Sequence, residues 1–297
     1  MLRRIDELFL LAKDKPKKRL AVCFAHDEPV IQAVAEALKE GLIHAILIGN
    51  EAEIKRLAQE EDILDAVEII AEDDMDTAVR KTMDIVNSNQ ADLIMKGLID
   101  TKVLLKGVVN KEFGIRSKPL LSHVGLVEVP GFDRLLYITD GAMMIQPSVE
   151  EKIQIIENAL LLTRKLGYQQ TKVGLVSAVE KVNPKMLSTV DAQEVKNYYL
   201  EHPGDYLVDG PFAIDNLVSL ESVKHKGIQS EVAGLADVLL FPNIDAGNVF
   251  YKTCVFLAHA KAAGIVIGAK VPIVLTSRAD DAQAKFASIA LGVNLSE

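Results

Sequence analysis

What most limits the fold of this chain is an alternation: short, β-branched apolar runs are separated by stretches of helical periodicity long enough to cross back over a sheet. Strands are expected at 19–25, 43–48, 67–71, 92–97, 172–178, 206–210, 236–242 and 272–276. Helices are expected at 2–13, from AHDEP to Glu40, and at 50–61, 75–87, 101–113, 148–166, 184–200 and 246–263, with a last one in DDAQAKFASIALG. Parallel neighbours cannot be joined by a tight turn and need such a crossover. The alternation therefore predicts a mostly parallel sheet with helices on both faces, an α/β class. One pair breaks the rule. HVGLVEV at 123–129 and RLLYITD at 134–140 are linked by PGFD with no helix between, which predicts an antiparallel hairpin.

The 297 residues exceed a typical single core, so two domains are expected, with the change placed at the long helix 148–166. With 49% hydrophobic and 25% charged residues and no low-complexity tract, the composition is that of an ordered, soluble chain. A net charge of −9 argues against nucleic-acid binding, which needs clustered Lys and Arg; the one dense basic run, KDKPKKR at 13–19, reads as a solvated connector. Cys23 and Cys254 form neither a disulfide framework nor a metal-ligand spacing, and the histidines are scattered, so no metal site is expected and a cytoplasmic location is. Near the N-terminus only 8–12 is an unbroken apolar run, too short for the core of a signal peptide. No apolar stretch reaches the length that spans a bilayer, so no membrane partner is expected.

Four junctions could carry chemistry. In VPIVLTSRADD, 271–281, a strand ends in Thr276, Ser277 and Arg278 where a helix begins. Free N–H groups and the positive end of a helix dipole favour an anion there, and Arg278 can grip phosphate or carboxylate through paired hydrogen bonds. The alternative is that Ser277 is only the helix N-cap, with Asp280 completing a capping box. MKGLIDT, 95–101, is a second strand-to-helix junction in which Gly97 allows close backbone approach and Lys96 and Thr101 can reach an anion; Lys106 and Arg116 add positive charge nearby. A plain turn with surface cations is the alternative. In FPNIDAGNVFYK, 241–252, Asn248, Tyr251 and Lys252 project from one helix face, which reads equally as a capped helix with an exposed stripe. In VDGPFAID, 208–215, Asp209 ends a strand and Asp215 follows; each can bind a cation, take a proton or cap a helix. Glycine-rich nucleotide loops and the G-x-S-x-G nucleophile motif are absent.

Taken in order, MKGLIDTKVLLKGVVNKEFGIR, SHVGLVEVPGFDRLLYITD, NPKMLSTVDA, VDGPFAID, EVAGLADVLLFPNIDAGNVFYK and VPIVLTSRAD resemble the phosphate acetyl/butyryltransferase family over nearly the whole chain. The resemblance implies two α/β/α domains with mostly parallel sheets, an isopropylmalate dehydrogenase-like fold with the active site in the interdomain cleft. The first domain would comprise 1–147 plus the C-terminal strand and helix in 269–297, and the second 148–268. The implied reaction is acyl-CoA plus phosphate giving acyl phosphate plus CoA, with CoA as substrate rather than a tightly bound cofactor and with no metal. A homo-oligomer, dimer or larger, is implied too.

On this resemblance Ser277 and Arg278 match the family's Ser-Arg pair, Arg278 serving phosphate and Ser277 the phosphate oxygen that attacks or leaves. Thr276, Lys96, Gly97, Thr101, Lys106, Arg116, Asp209, Asn243, Asn248, Tyr251 and Lys252 are the substrate-binding candidates. Two positions depart from the pattern. The aspartate that serves as base in the acetyl branch, seven residues after the serine, is Ala284 here, which leaves Asp280 as the catalytic candidate, with Asp281, Asp209 and Asp215 behind it. An expected arginine is Lys106, which keeps the charge and loses the bidentate fork. The SRADDAQAK text favours the butyryl branch; acetyl transfer, a non-catalytic acyl-CoA-binding regulatory module, and a metal- and NAD-dependent dehydrogenase of related fold are the alternatives.

Overall fold

The computed structural model describes residues 2–277 and 280–297. In chain order the first half runs α1 (Asp6–Lys13), β1 (Lys18–Cys23), α2 (Glu28–Lys39), β2 (Ile43–Gly49), α3 (Glu51–Glu60), β3 (Val67–Ala71), α4 (Met75–Asn87), β4 (Leu93–Lys96), α5 (Thr101–Val108), β5 (Ser122–Glu128) and β6 (Leu136–Thr139). It continues α6 (Val149–Lys165), β7 (Thr171–Val176), α7 (Leu187–Glu201), β8 (Tyr206–Phe212), α8 (Ile214–Val218), α9 (Leu220–Lys226), β9 (Val238–Leu240), α10 (Ile244–Lys252), β10 (Lys261–Ile267), β11 (Ile273–Val274) and α11 (Ala282–Leu295). The chain divides into two compact units: Ile5–Leu121 with Ala262–Glu297, and residues 2–4 with Ser122–Lys261.

In the first unit the strands lie in the order β3-β2-β1-β4-β11-β10. Every neighbouring pair is parallel except β10 with β11. The chain steps outward from β1 to β2 to β3 and then returns past β1 to β4. Right-handed crossovers put α2 and α3 on one face and α4 on the other. Accordingly β4 is buried at all four positions, and β1 from Leu20 to Cys23, as strands covered on both faces must be. The C-terminal α11 is buried from Lys285 to Leu295. It lies against the sheet through Gly292, where a Cβ would fall 2.8 Å from Leu93, and against α1 through the stacked rings of Phe9 and Phe286, 4.5 Å between centroids. Asn294 ties it to α1 by donating from Nδ2 to the Leu8 carbonyl at 2.9 Å.

The second unit has the strand order β5-β6-β9-β7-β8. The expected hairpin is present as antiparallel β5 and β6, and the remaining pairs are parallel. Because β6 pairs with β9, about a hundred residues on, the hairpin groups with the later strands, and the unit boundary falls at 121/122 rather than at 148. At the other end, the helix expected over 246–263 stops at Lys252, continues as a π-type turn over Thr253–Leu257, and gives way to β10. The stretch KAAGIVI, into which the expected helix ran as far as 263, is a strand, six of whose seven residues are buried. Likewise α5 ends at Val108 instead of 113, and only Ile273 and Val274 of the expected 272–276 strand join the ladder.

Candidate active site

The strand order of the first unit reverses beside β1, so the chains leaving β1 and β4 turn to opposite faces. Open α/β sheets bind ligands in the crevice made at such a point, outside the carboxyl ends of the strands. β11 runs parallel to β4 in the register Ile273↔Ile94 and Val274↔Met95, which brings Lys96 and the segment from Leu275 to Ser277 out of the sheet at one level. Thus the two anion junctions read in the sequence, 95–101 and 271–281, are neighbours on one sheet edge.

Lys96 is 6% exposed, and its Nζ donates to the carbonyls of Gly97 at 3.1 Å and Ile99 at 3.2 Å. It staples its own turn. The Gly97 N–H donates to the Cys23 carbonyl at 2.9 Å, and a Cβ at Gly97 would sit 2.2 Å from the Phe24 oxygen. The close approach that demands glycine here is therefore to the end of β1. Burial pushes the adjacent Cys23 thiol up to about 11, which keeps it inert as a nucleophile. Thr101 opens α5, where the side chain of the N-cap Asp100 accepts no helix N–H. Lys106 is exposed in the last turn of that helix. Arg116 is not brought to this edge: its backbone bridges Ala269, in the link that leads into β11, whereas Thr276 lies beyond that strand's end.

Thr276 is buried and Ser277 exposed. The Ser277 N–H donates to Asp280 Oδ2 at 2.7 Å, and the Asp280 N–H to the Ser277 carbonyl at 3.2 Å. The helix cap is elsewhere. Asp281 is the N-cap of α11, accepting the Ala284 N–H at 2.8 Å, so Ser277 is released from the capping role and only the Asp280 half of the expected capping box is built. Arg278 lies outside the described residues. One residue here escaped the sequence reading: Lys285, one turn into α11 and 3% exposed, donates from Nζ to the carbonyls of Asp280 at 2.5 Å and Ser277 at 3.3 Å. Burial lowers its pKa, against the pull of the Asp280, Asp27 and Asp281 carboxylates.

The second-unit candidates are mostly engaged in holding the fold. Asn243 is the N-cap of α10, accepting the Ala246 N–H at 3.0 Å. Asn248 donates to the Gly141 carbonyl at 2.9 Å, and the Tyr251 ring packs on Gly125, where a Cβ would come within 2.9 Å. Lys252 points outward, its Nζ 5.8 Å from the Phe256 ring centroid. Asp209 forms an ion pair with Lys196 at 2.6 Å and also accepts the Gly210 N–H. Asp215 is 3.1 Å from Lys226 and, with Val176, Phe241, Val249 and Phe250, lines a largely apolar cavity of about 670 Å³. A second residue missed by the sequence reading, Asp140, is 2% exposed, and its carboxylate accepts the N–H groups of His123, Ala142 and Met143, fixing the turn after β6. Nothing in YITDGAMM distinguishes it from a surface turn residue.

Among the described residues, no three His, Cys, Asp or Glu side chains gather as metal ligands, and no helix is long and apolar enough to cross a membrane. The family described as phosphate acetyl/butaryl transferase matches residues 4–77 and 66–293. The phosphate butyryltransferase of Clostridium acetobutylicum is 42% identical over 296 residues, 98% of this chain and 97% of that one. The phosphate acetyltransferase of Thermotoga maritima is 41% identical over 297 residues, 97% and 98% of the two chains. A branched-chain phosphotransacylase from Enterococcus faecalis superposes with a TM-score of 0.85 at 34% identity, covering 94% of this chain and 98% of its own. Like it, this is a mixed α/β protein with mostly parallel strands. Matched along nearly its whole length in sequence and in fold, the chain belongs to the phosphate acetyl/butyryl transferase family.

Proposed function

We propose that the protein transfers an acyl group between coenzyme A and inorganic phosphate, with butanoyl-CoA plus phosphate giving butanoyl phosphate plus CoA. One observation carries the reading: near-full-length identity of 42% with a phosphate butyryltransferase. Paired strand-to-helix turns on one sheet edge suit such chemistry, since both end at helix N-termini that favour a phosphate.

In the forward direction a phosphate oxygen attacks the thioester carbonyl, charge builds on the carbonyl oxygen, and the CoA thiolate departs and takes a proton. In reverse, the thiol loses its proton and attacks the acyl phosphate. With a thiol pKa of roughly 8.5, only a few per cent is thiolate at neutral pH. A proton acceptor typically contributes about 10² to 10⁴ in rate. We assign Arg278 to phosphate, Ser277 to the phosphate oxygen that attacks or leaves, and Asp280, bonded to the Ser277 N–H, to the thiol proton. Thr276, Gly97 and Thr101 are proposed to line the phosphate path. Lys96 and Lys106 are proposed to contribute charge. The polar groups of α10 and Asp209 remain the candidates for CoA.

The reading carries the isopropylmalate dehydrogenase-like fold, with the two compact units as its α/β/α domains. It also carries a homo-oligomer. Val249, Phe256 and Leu257, 66%, 51% and 76% exposed, offer apolar surface for self-association, which light scattering will detect. A CoA substrate and two buried thiols, Cys23 and Cys254, fit the cytoplasm.

The test is thiol release from acetyl-, propionyl-, butanoyl- and isobutanoyl-CoA with and without phosphate. The reading expects release that requires phosphate and is fastest with a four-carbon donor. Fastest turnover of acetyl-CoA would move the protein to the acetyl branch. Binding of acyl-CoA without any phosphate-dependent release would make it a regulatory module.

A further inference from the structure

The backbone at Ser277 is held by a side chain that closes the SRADDAQAK text. Lys285 is 3% exposed, yet none of the ion pairs among the described residues includes it. Its Nζ instead donates to the carbonyls of Asp280 at 2.5 Å and Ser277 at 3.3 Å. Burying an ammonium without a carboxylate in contact is unfavourable unless hydrogen bonds replace its water. Both acceptors are backbone carbonyls close to Ser277, so the ammonium ties Ser277 to Asp280. The adjacent strand repeats the device: Lys96 Nζ bonds the Gly97 and Ile99 carbonyls after β4. Two parallel neighbours are thus each followed by carbonyls held by a buried lysine, one supplied by the strand itself and the other by the helix that follows.

We propose that Lys285 is a positioning residue for acyl transfer, its ammonium holding the Ser277 and Asp280 carbonyls so that Ser277 is presented to phosphate in one geometry. The inference rests on the proposed role of Ser277. A misplacement of about 1 Å at a reacting group can cost up to about 10²-fold in rate. The loss should fall on turnover, because Lys285 meets these carbonyls and not CoA.

Lys285→Met keeps the buried methylenes and removes the donors. With the phosphate-dependent thiol-release assay on the full chain, kcat per folded molecule is expected to fall roughly 10- to 100-fold, with the KM for butanoyl-CoA within about twofold of wild type. Lys285→Ala should recover part of its lost turnover on addition of n-propylamine, which replaces the deleted propylammonium; a merely structural lysine would not respond in this way at unchanged folded fraction. Wild-type kcat in Lys285→Met, or no amine response in an impaired Lys285→Ala, overturns the inference while leaving the transfer reaction standing. Failure of both variants to fold assigns the lysine to the fold and overturns it equally. A wild-type protein inactive with every acyl donor overturns the reaction, and the inference with it.

Discussion

Gly97→Ala tests the geometry on which the crevice depends. An added methyl would lie 2.2 Å from the Phe24 oxygen, 2.7 Å from the Phe24 carbonyl carbon and 2.8 Å from the Cys23 oxygen. Ordinary carbon–oxygen contacts lie at about 3.3–3.6 Å, so the ends of β1 and β4 must separate by about 1 Å. The obstacle is backbone, not a side chain that can rotate away. Two hydrogen bonds resist the separation: Gly97 N–H to Cys23 at 2.9 Å and Leu98 N–H to Phe24 at 2.7 Å. Losing most of both costs about 1 kcal/mol each, and overpacking adds roughly 1–3, giving a destabilisation of roughly 3–5 kcal/mol. Urea unfolding followed by circular dichroism should show a lower midpoint with an unchanged m-value. Because Lys96 bonds the Gly97 carbonyl, turnover of the folded fraction should fall as well. A variant within about 0.5 kcal/mol of wild type would refute the close approach, since that is the scatter of a neutral surface change.

Asp281→Ala should cost about 1 kcal/mol through loss of the α11 cap, and Asp281→Asn much less, with thermal melts as the measure; equal losses would contradict the capping assignment. Asp280→Asn keeps an acceptor for the Ser277 N–H, so stability should hold while turnover falls by about 10² or more, and unchanged turnover removes Asp280 from the chemistry. Arg278→Lys should reduce turnover more than it weakens CoA binding, which titration calorimetry beside kinetics will separate. Asp92 accepts Arg19 Nη2 at 2.6 Å and Nε at 3.0 Å, and this hydrogen bonding lowers its pKa. A depressed carboxylate stabilises above its unfolded value of about 3.9 and loses the contribution as pH falls through the folded value. Asp92→Asn should therefore cost about 1 kcal/mol at pH 7, screened by partial exposure, with the gap to wild type closing below about pH 4; a gap that persists at acid pH would contradict the ion-pair account.

The alternation of strands and helices was legible because the first-unit crossovers have their own period, and two of them carry side-chain caps, Asn50 before α3 and Asp74 before α4. The hairpin was legible from its missing helix. β10 was not: KAAGIVI follows a true helix without a proline, and a strand buried at six consecutive positions shows no alternation that would set it apart from a buried helix. The local sequence read Ser277 as the cap, with Asp280 as its partner, whereas α11 starts four residues later and is capped by Asp281, a residue equally suited by type. Arg116 looked close to the Lys-Gly motif in sequence, but its bridge to Ala269 is a contact across 153 positions that no local pattern encodes. Lys285 stands at the end of the SRADDAQAK text, but its role left no signal because its partners are backbone carbonyls, which every residue has. In sequence it is one cation in a largely apolar helix.

The central claim is that the acyl group leaves CoA for phosphate and for no other acceptor. The most direct measurement is phosphorus NMR of the protein with butanoyl-CoA and phosphate, alongside the thiol count from the same tube. The account predicts one butanoyl phosphate for each CoA released, and reversal on addition of CoA to the purified product. Thiol release without acyl phosphate, the pattern of a thioester hydrolase, would contradict it.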